Sequence, residues 1–389
     1  MFRFFRIPSA NASTASPFSR ACLLAYSVLI FYASGYPFSG WQFESAAAYL
    51  AQIQDWPHYW TAFDAIVNIL GYIPFGVLLA LSLFPHVRNF AAVFLASSIG
   101  FLTSFAMESM QFFIPSRVTS LLDFVTNGLG CAVGAVIGVV LLPHLLNNER
   151  LRYLKHHHLQ DDTPRELLLV GLWPLAQIAP HAFLFGLGQI LPKLTEWAQE
   201  YLEIEIDMSA LLHLQLNLNA EEFLVSETLV TACATAGSLL IWNAMLSKQA
   251  PKLVLNASLL LASLGVCSLA NALMFGTDYA FFWMAPGARG GLIIGLIMLY
   301  GFSFAPTRAQ RRLALLLLSL SLLAVNLIPS NPYFLNTMQS MVPGKMLNFY
   351  GAAQFLSLVW PFAAIWMLLQ KRSPKSTPNK EIQEIENGL

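Results

Sequence analysis

Asp64-Ala-Ile-Val-Asn68-Ile-Leu-Gly71 and Asp123-Phe-Val-Thr-Asn127-Gly-Leu-Gly130 carry the same Asp-x3-Asn-x-Leu-Gly pattern, and each opens a long apolar run. A carboxylate and a carboxamide four residues apart lie on one face of a helix. Two such pairs at the mouths of two membrane helices are a feature that hydrophobic burial alone does not select.

Outward from these two stretches the chain stays apolar. Its 389 residues are 56% hydrophobic and 11% charged, with a mean hydropathy of +0.58, too apolar for an ordinary soluble protein. A net charge of zero gives no reason to expect a nucleic-acid partner. Cys22, Cys131, Cys233 and Cys267 each fall inside an apolar run without a pairing pattern and read as small core residues.

Runs long enough for a hydrocarbon core of roughly 30 Å lie at about 20–34, 62–84, 90–113 and 121–146. Six more follow at about 167–191, 224–247, 252–274, 290–306, 313–328 and 349–370. The expectation is an all-α, polytopic integral membrane protein with about ten transmembrane helices. Lys and Arg favour cytoplasmic loops. With the N-terminus inside, seventeen of the 21 fall on the cytoplasmic side, leaving Arg117, Lys193, Arg289 and Lys345 outside. Both termini are therefore expected in the cytoplasm, and the first apolar run, lacking a small-residue cleavage site, reads as a retained helix.

The expected organisation is a four-helix membrane domain over 1–146, a cytoplasmic linker over 147–166, a six-helix membrane domain over 167–372 and a disordered tail over 373–389. His156, His157 and His158 in the linker point in different directions, so a solvated basic loop is the expectation there and no metal is assigned.

In this topology Asp64 and Asp123 sit at the extracytoplasmic end, with Asn68 and Asn127 about one turn deeper. Glu108 and Gln111, three apart on the third helix, approach the same end before Arg117. Seven polar groups thus converge on one membrane surface. Below them Gly130-x3-Gly134-x3-Gly138 is a small-xxx-small stripe that lets helices approach closely, and Pro74 interrupts the second helix. Both copies of the pattern run in the same direction, as in a parallel repeat of two-helix units.

The stretch from about 20 to 145 resembles the VanZ-like family of membrane proteins. The resemblance is carried by Asn68-Ile-Leu-Gly-Tyr-Ile-Pro-Phe-Gly76, Glu108-Ser-Met-Gln111, Arg117 and Asp123-Phe-Val-Thr-Asn-Gly-Leu-Gly130, in that order. It implies a cell-envelope setting in a bacterial cytoplasmic membrane, because the family's named member is associated with resistance to glycopeptides such as teicoplanin. It covers about a third of the chain and leaves the six C-terminal helices outside.

A carboxylate near a helix centre costs roughly 2.5–3.5 kcal/mol, so Glu108 most needs a partner, with Arg117 the nearest candidate. One reading is purely structural: the polar groups neutralise one another and lock four helices together. Asp64, Glu108 and Asp123 against Arg117 also leave a formal charge of minus two. That suits a hard cation, a proton, or the hydroxyl and amine groups of a headgroup. The expected role is binding of a cell-envelope glycolipid or glycopolymer headgroup, among membrane lipids as partners, with an influence on glycopeptide susceptibility. A lipid-linked substrate transporter or flippase, and a membrane enzyme using paired carboxylates, are the alternatives. The residues name no catalytic set and no cofactor.

Three outer segments complete the reading: an aromatic loop with Trp41, Trp56, Tyr59 and Trp60, an acidic stretch over 192–223, and turn-rich loops around Asn331-Pro332 and Pro343-Gly344.

Overall fold

The computed structural model describes residues 17–38, 40–42, 45, 62–117, 119–147, 157–160, 164–191, 194, 198, 218–328 and 347–370. The Asp64 side chain, most of the aromatic loop, the acidic stretch over 192–217, the turn-rich loops over 331–345 and the C-terminal tail lie outside them.

Among the described residues the chain is all-helical. The helices are α1 (Pro17–Gly35), α2 (Ala62–Leu83), α3 (Asn89–Gln111), α4 (Leu121–Asn147), α5 (Pro164–Leu175), α6 (Ala220–Met245), α7 (Lys252–Phe275), α8 (Pro286–Ser303), α9 (Thr307–Leu327) and α10 (Leu347–Leu369). Eight of them, all but α5 and α8, are long and apolar enough to cross a membrane. Their outward faces carry Phe90, Phe94, Leu102, Leu253 and Leu261, all exposed, as are Ile293 and Ile297 on α8. Glu108, Gln111, Asn127, Glu227, Asn243 and Gln310 are buried instead. Apolar residues outside and polar ones inside suit a hydrocarbon solvent.

The expected span at 167–191 is not one continuous helix. α5 is 12 residues, about 18 Å, and the chain then runs irregularly past Pro180 to Gly188. It still traverses the second bundle. At one end Glu166 pairs with Arg311 of α9 at 2.6 Å; at the other, Ile190 and Leu191 donate to Asn326 Oδ1 at 2.8 and 3.0 Å. Asn326 Nδ2 donates in turn to Gly188 O at 2.9 Å. One side chain near the end of α9 thus satisfies backbone groups that a helix would have paired, as unwound chain at membrane depth requires.

The buried apolar residues among those described fall into separate clusters. One buried cluster joins α5 to α10, and two smaller clusters, built on Tyr72, Phe75 and Cys131 and on Ala80, Ala92 and Val139, fill the first four helices. α1 meets α10 through Tyr32 stacked on Phe355, with ring centres 4.4 Å apart. In the linker, His158 O accepts from Ser247 N and Gln160 N donates to Met245 O, both at 2.9 Å. His157 and His158 therefore belong to a chain segment paired with the end of α6.

Candidate functional site

α2 and α4 form the seam on which the site is built. A Cβ at Gly130, Gly134 or Gly138 would strike the backbone of Ile69, Ile73 or Val77, respectively. Each of these pairs is 61 residues apart, so the two helices run parallel. The expected glycine stripe of α4 is in close contact. α2 reciprocates through Gly76, which abuts the Cys131 carbonyl and the Ala135 amide, whereas Gly71 has nothing within 4 Å of where a Cβ would lie. The two copies of the sequence pattern therefore pack differently.

Close approach brings polar groups of the two helices together. Asn68 Nδ2 donates to Asp123 Oδ1 at 2.9 Å, linking the first copy to the second. Asp123 lies in the first turn of α4, and its amide donates to Ser120 Oγ at 3.4 Å, a cap at the helix start. Glu108, 2% exposed, reaches across from the last turn of α3 and accepts from the Ser120 amide at 3.0 Å. Two carboxylates therefore sit at the positive end of α4, where the helix dipole and free N–H groups favour negative charge.

Gln111 and Arg117 bind the end of α1. Gln111 Nε2 donates to Ser34 O at 3.2 Å; Arg117 donates through Nε to Tyr36 O at 2.8 Å and through Nη2 to Ala33 O at 2.7 Å. These are carbonyls a helix leaves unpaired at its C-terminus. Burial lowers the Arg117 guanidinium to about 10, with Glu108 and Tyr36 opposing the shift, so it stays charged at neutral pH.

Asn68, Glu108, Gln111, Arg117 and Asp123 are thus brought to one end of the bundle and engaged in bonds between its elements, and Asp64 stands in the first turn of α2 at that same end. Asn127 differs. It is 6% exposed, and its Oδ1 is enclosed with no hydrogen-bond partner among the described residues. Tyr72, 7% exposed, likewise has an enclosed hydroxyl without a partner. Its phenol lies near enough to Glu108, Cys131, Tyr26 and Asp123 to interact electrostatically with each. Sequence reasoning missed Tyr72, although its spacing of four from Asn68 puts it on the same face of α2. It also missed Tyr26, whose hydroxyl donates to Gly71 O at 2.6 Å.

An all-helical chain with apolar membrane-length helices and a polar cluster inside its first bundle is a polytopic membrane protein. The VanZ/LLP1 family model matches residues 20–142, which span α1 to most of α4 and contain all seven cluster residues. No curated protein and no solved structure matches the chain.

Proposed function

We propose that the polar end of the first bundle binds the hydroxyl-rich headgroup of a cell-envelope glycolipid or glycopolymer and thereby influences glycopeptide susceptibility. The Lys and Arg bias supports a topology of ten passes with this end outside the cytoplasm and both termini inside, and the resemblance to the VanZ-like family supports a bacterial cytoplasmic membrane as the setting.

The observation that carries the reading is two enclosed side-chain atoms with no hydrogen-bond partner among the described residues, the Tyr72 hydroxyl and Asn127 Oδ1. Unpaired groups in an apolar interior cost about 1–3 kcal/mol each. A sugar hydroxyl both donates and accepts, so one headgroup type answers both needs. The Asp123 carboxylate, held by Asn68, adds an acceptor one turn above Asn127.

Nanodiscs holding the full chain and a glucosyl diacylglycerol test this by native mass spectrometry. Tyr72→Phe and Asn127→Leu, which remove polar atoms with little change in volume, are expected to weaken retention of the glycolipid about tenfold each. The same variants are expected to abolish any shift in teicoplanin susceptibility that expression of the protein confers on a bacterial host. Unchanged retention in both variants at normal expression would overturn the reading.

The broken passage through the second bundle favours a second reading. Interrupted helices are common in transporters, so movement of a headgroup between leaflets in proteoliposomes is the assay that separates transport from binding alone.

A further inference from the structure

The break after α5 shapes a cavity in the second bundle, away from the Tyr72–Asn127 region. Its volume is about 390 Å³, within the roughly 300–1,000 Å³ usual for small-ligand sites. Gln177 and His181 line it from the irregular stretch, Glu227 from α6, Asn271 from α7, and Phe281 and Trp283 from the connection between α7 and α8.

Glu227 is the acid of this lining, and no Lys or Arg accompanies it. It is 7% exposed, and its side chain rests against Gly287 at the start of α8. Any Cβ at Gly287 would strike the Glu227 side chain, so glycine here is what admits the carboxylate. His181 Nε2 is enclosed without a hydrogen-bond partner among the described residues. Asn271, 5% exposed, donates to Cys267 Sγ at 3.9 Å, a weak bond. Trp283 is fixed by a 2.7 Å bond from Nε1 to Ser268 Oγ, and Phe281, 64% exposed, stands at the rim. Phe185, also in the lining, has φ of 60° and is held in that left-handed conformation by packing on Trp173, ring centres 4.9 Å apart. Strain of this kind in a bulky residue collects at functional sites.

A buried carboxylate, aromatic walls and amide oxygens without a lysine or arginine describe a receptor for positive charge. A metal ion is a poor fit, since no group of three or more His, Cys, Asp or Glu among the described residues could hold one. Glu227 repels anions. An organic ammonium group suits this lining: the carboxylate attracts it strongly in a low-dielectric pocket, indole and phenyl faces stabilise it, and the amide dipoles of Gln177 and Asn271 offer oxygens to its positive charge, whether it is a primary or a quaternary ammonium. We propose that this cavity binds an organic ammonium group, presented either by a free amine or by a lipid headgroup.

The test uses the purified full chain in detergent with labelled choline, unlabelled ethanolamine as competitor and the neutral carbon isostere of choline as control. A parallel arm compares lipid retention from nanodiscs of phosphatidylethanolamine or phosphatidylglycerol. Saturable choline binding that ethanolamine displaces and the isostere does not supports a free amine. Retention of phosphatidylethanolamine over phosphatidylglycerol supports a lipid source. In whichever arm binds, Glu227→Gln keeps the side chain's shape, removes its charge and is expected to weaken binding by about 30-fold or more. Phe281→Ala, at the exposed rim where folding does not depend on it, is expected to weaken binding about threefold. Equal competition by the isostere overturns the proposal, as does absence of binding in both arms. Undiminished affinity in Glu227→Gln also overturns it; should that variant not fold, undiminished affinity in Phe281→Ala does so.

Discussion

Replacing Gly71 and Gly130 by alanine, one at a time, is expected to shift stability in opposite directions, although both occupy the same place in the Asp-x3-Asn-x-Leu-Gly pattern. At Gly130 the new methyl would lie 2.9 Å from Ile69 Cα and 3.0 Å from its carbonyl carbon, and closer still to its oxygen. Backbone atoms cannot rotate aside, so α2 has to retreat by roughly 0.5–1 Å to restore ordinary contact. That movement loosens the seam and stretches the 2.9 Å bond between Asn68 and Asp123. Overpacking of this kind costs about 1–3 kcal/mol, against about 0.5–1 kcal/mol gained from alanine in a helix, for a net loss of up to about 2.5 kcal/mol. At Gly71 nothing lies within 4 Å, so only the gain of about 0.5–1 kcal/mol operates. Equilibrium unfolding in mixed micelles, followed by helical circular dichroism, measures both. Equal shifts, or a larger loss for Gly71→Ala, would refute the assignment of Gly130 to the helix contact.

Asn326→Leu removes the side chain that pairs with Ile190, Leu191 and Gly188. Ile190 N still donates to Gly188 O at 2.8 Å, so losing the Asn326 bonds is expected to cost about 1–2 kcal/mol, read as faster hydrogen exchange at 186–191 with α9 itself protected; unchanged exchange there would sink the idea. In the second bundle, Glu166→Leu leaves Arg311, whose side chain is 13% exposed, without its carboxylate and is expected to destabilise by about 2–4 kcal/mol, while adding Arg311→Met should recover most of the loss. Failure of the double variant to recover stability would mean that the bond from Arg311 Nη2 to Met367 O, at 3.2 Å, matters more than the ion pair.

Much of the architecture was legible because membrane helices announce themselves through length and hydropathy, which need no tertiary information. α2, α3 and α4 lie within a few residues of their expected bounds, and the glycine stripe of α4 does contact α2. The span at 167–191 was misread as regular helix because hydropathy counts apolar residues and does not register unwinding. Pro174 and Pro180 were the available signals. In the site, spacing along the chain suggested one end of the bundle for Asn68, Glu108, Gln111, Arg117, Asp123 and Asn127. Their bonds could not be foreseen: Arg117 meets α1 carbonyls, and Glu108 meets the Ser120 amide, because backbone acceptors and donors carry no signature in residue type. Tyr72 was hidden for a related reason, since an aromatic residue in an apolar run reads as core until its hydroxyl is seen to lack a partner.

Composition, hydropathy and spacing by themselves determined a helical membrane protein with a polar cluster at the mouth of its first bundle, since both depend on properties local along the chain. Only the tertiary structure decided which of the two patterned glycines is in contact, which buried polar atoms remain free, and that the chain breaks beside Glu227 to enclose a cavity. Those outcomes depend on distances between segments remote in sequence, and partners 61 or 136 residues apart are chosen by packing.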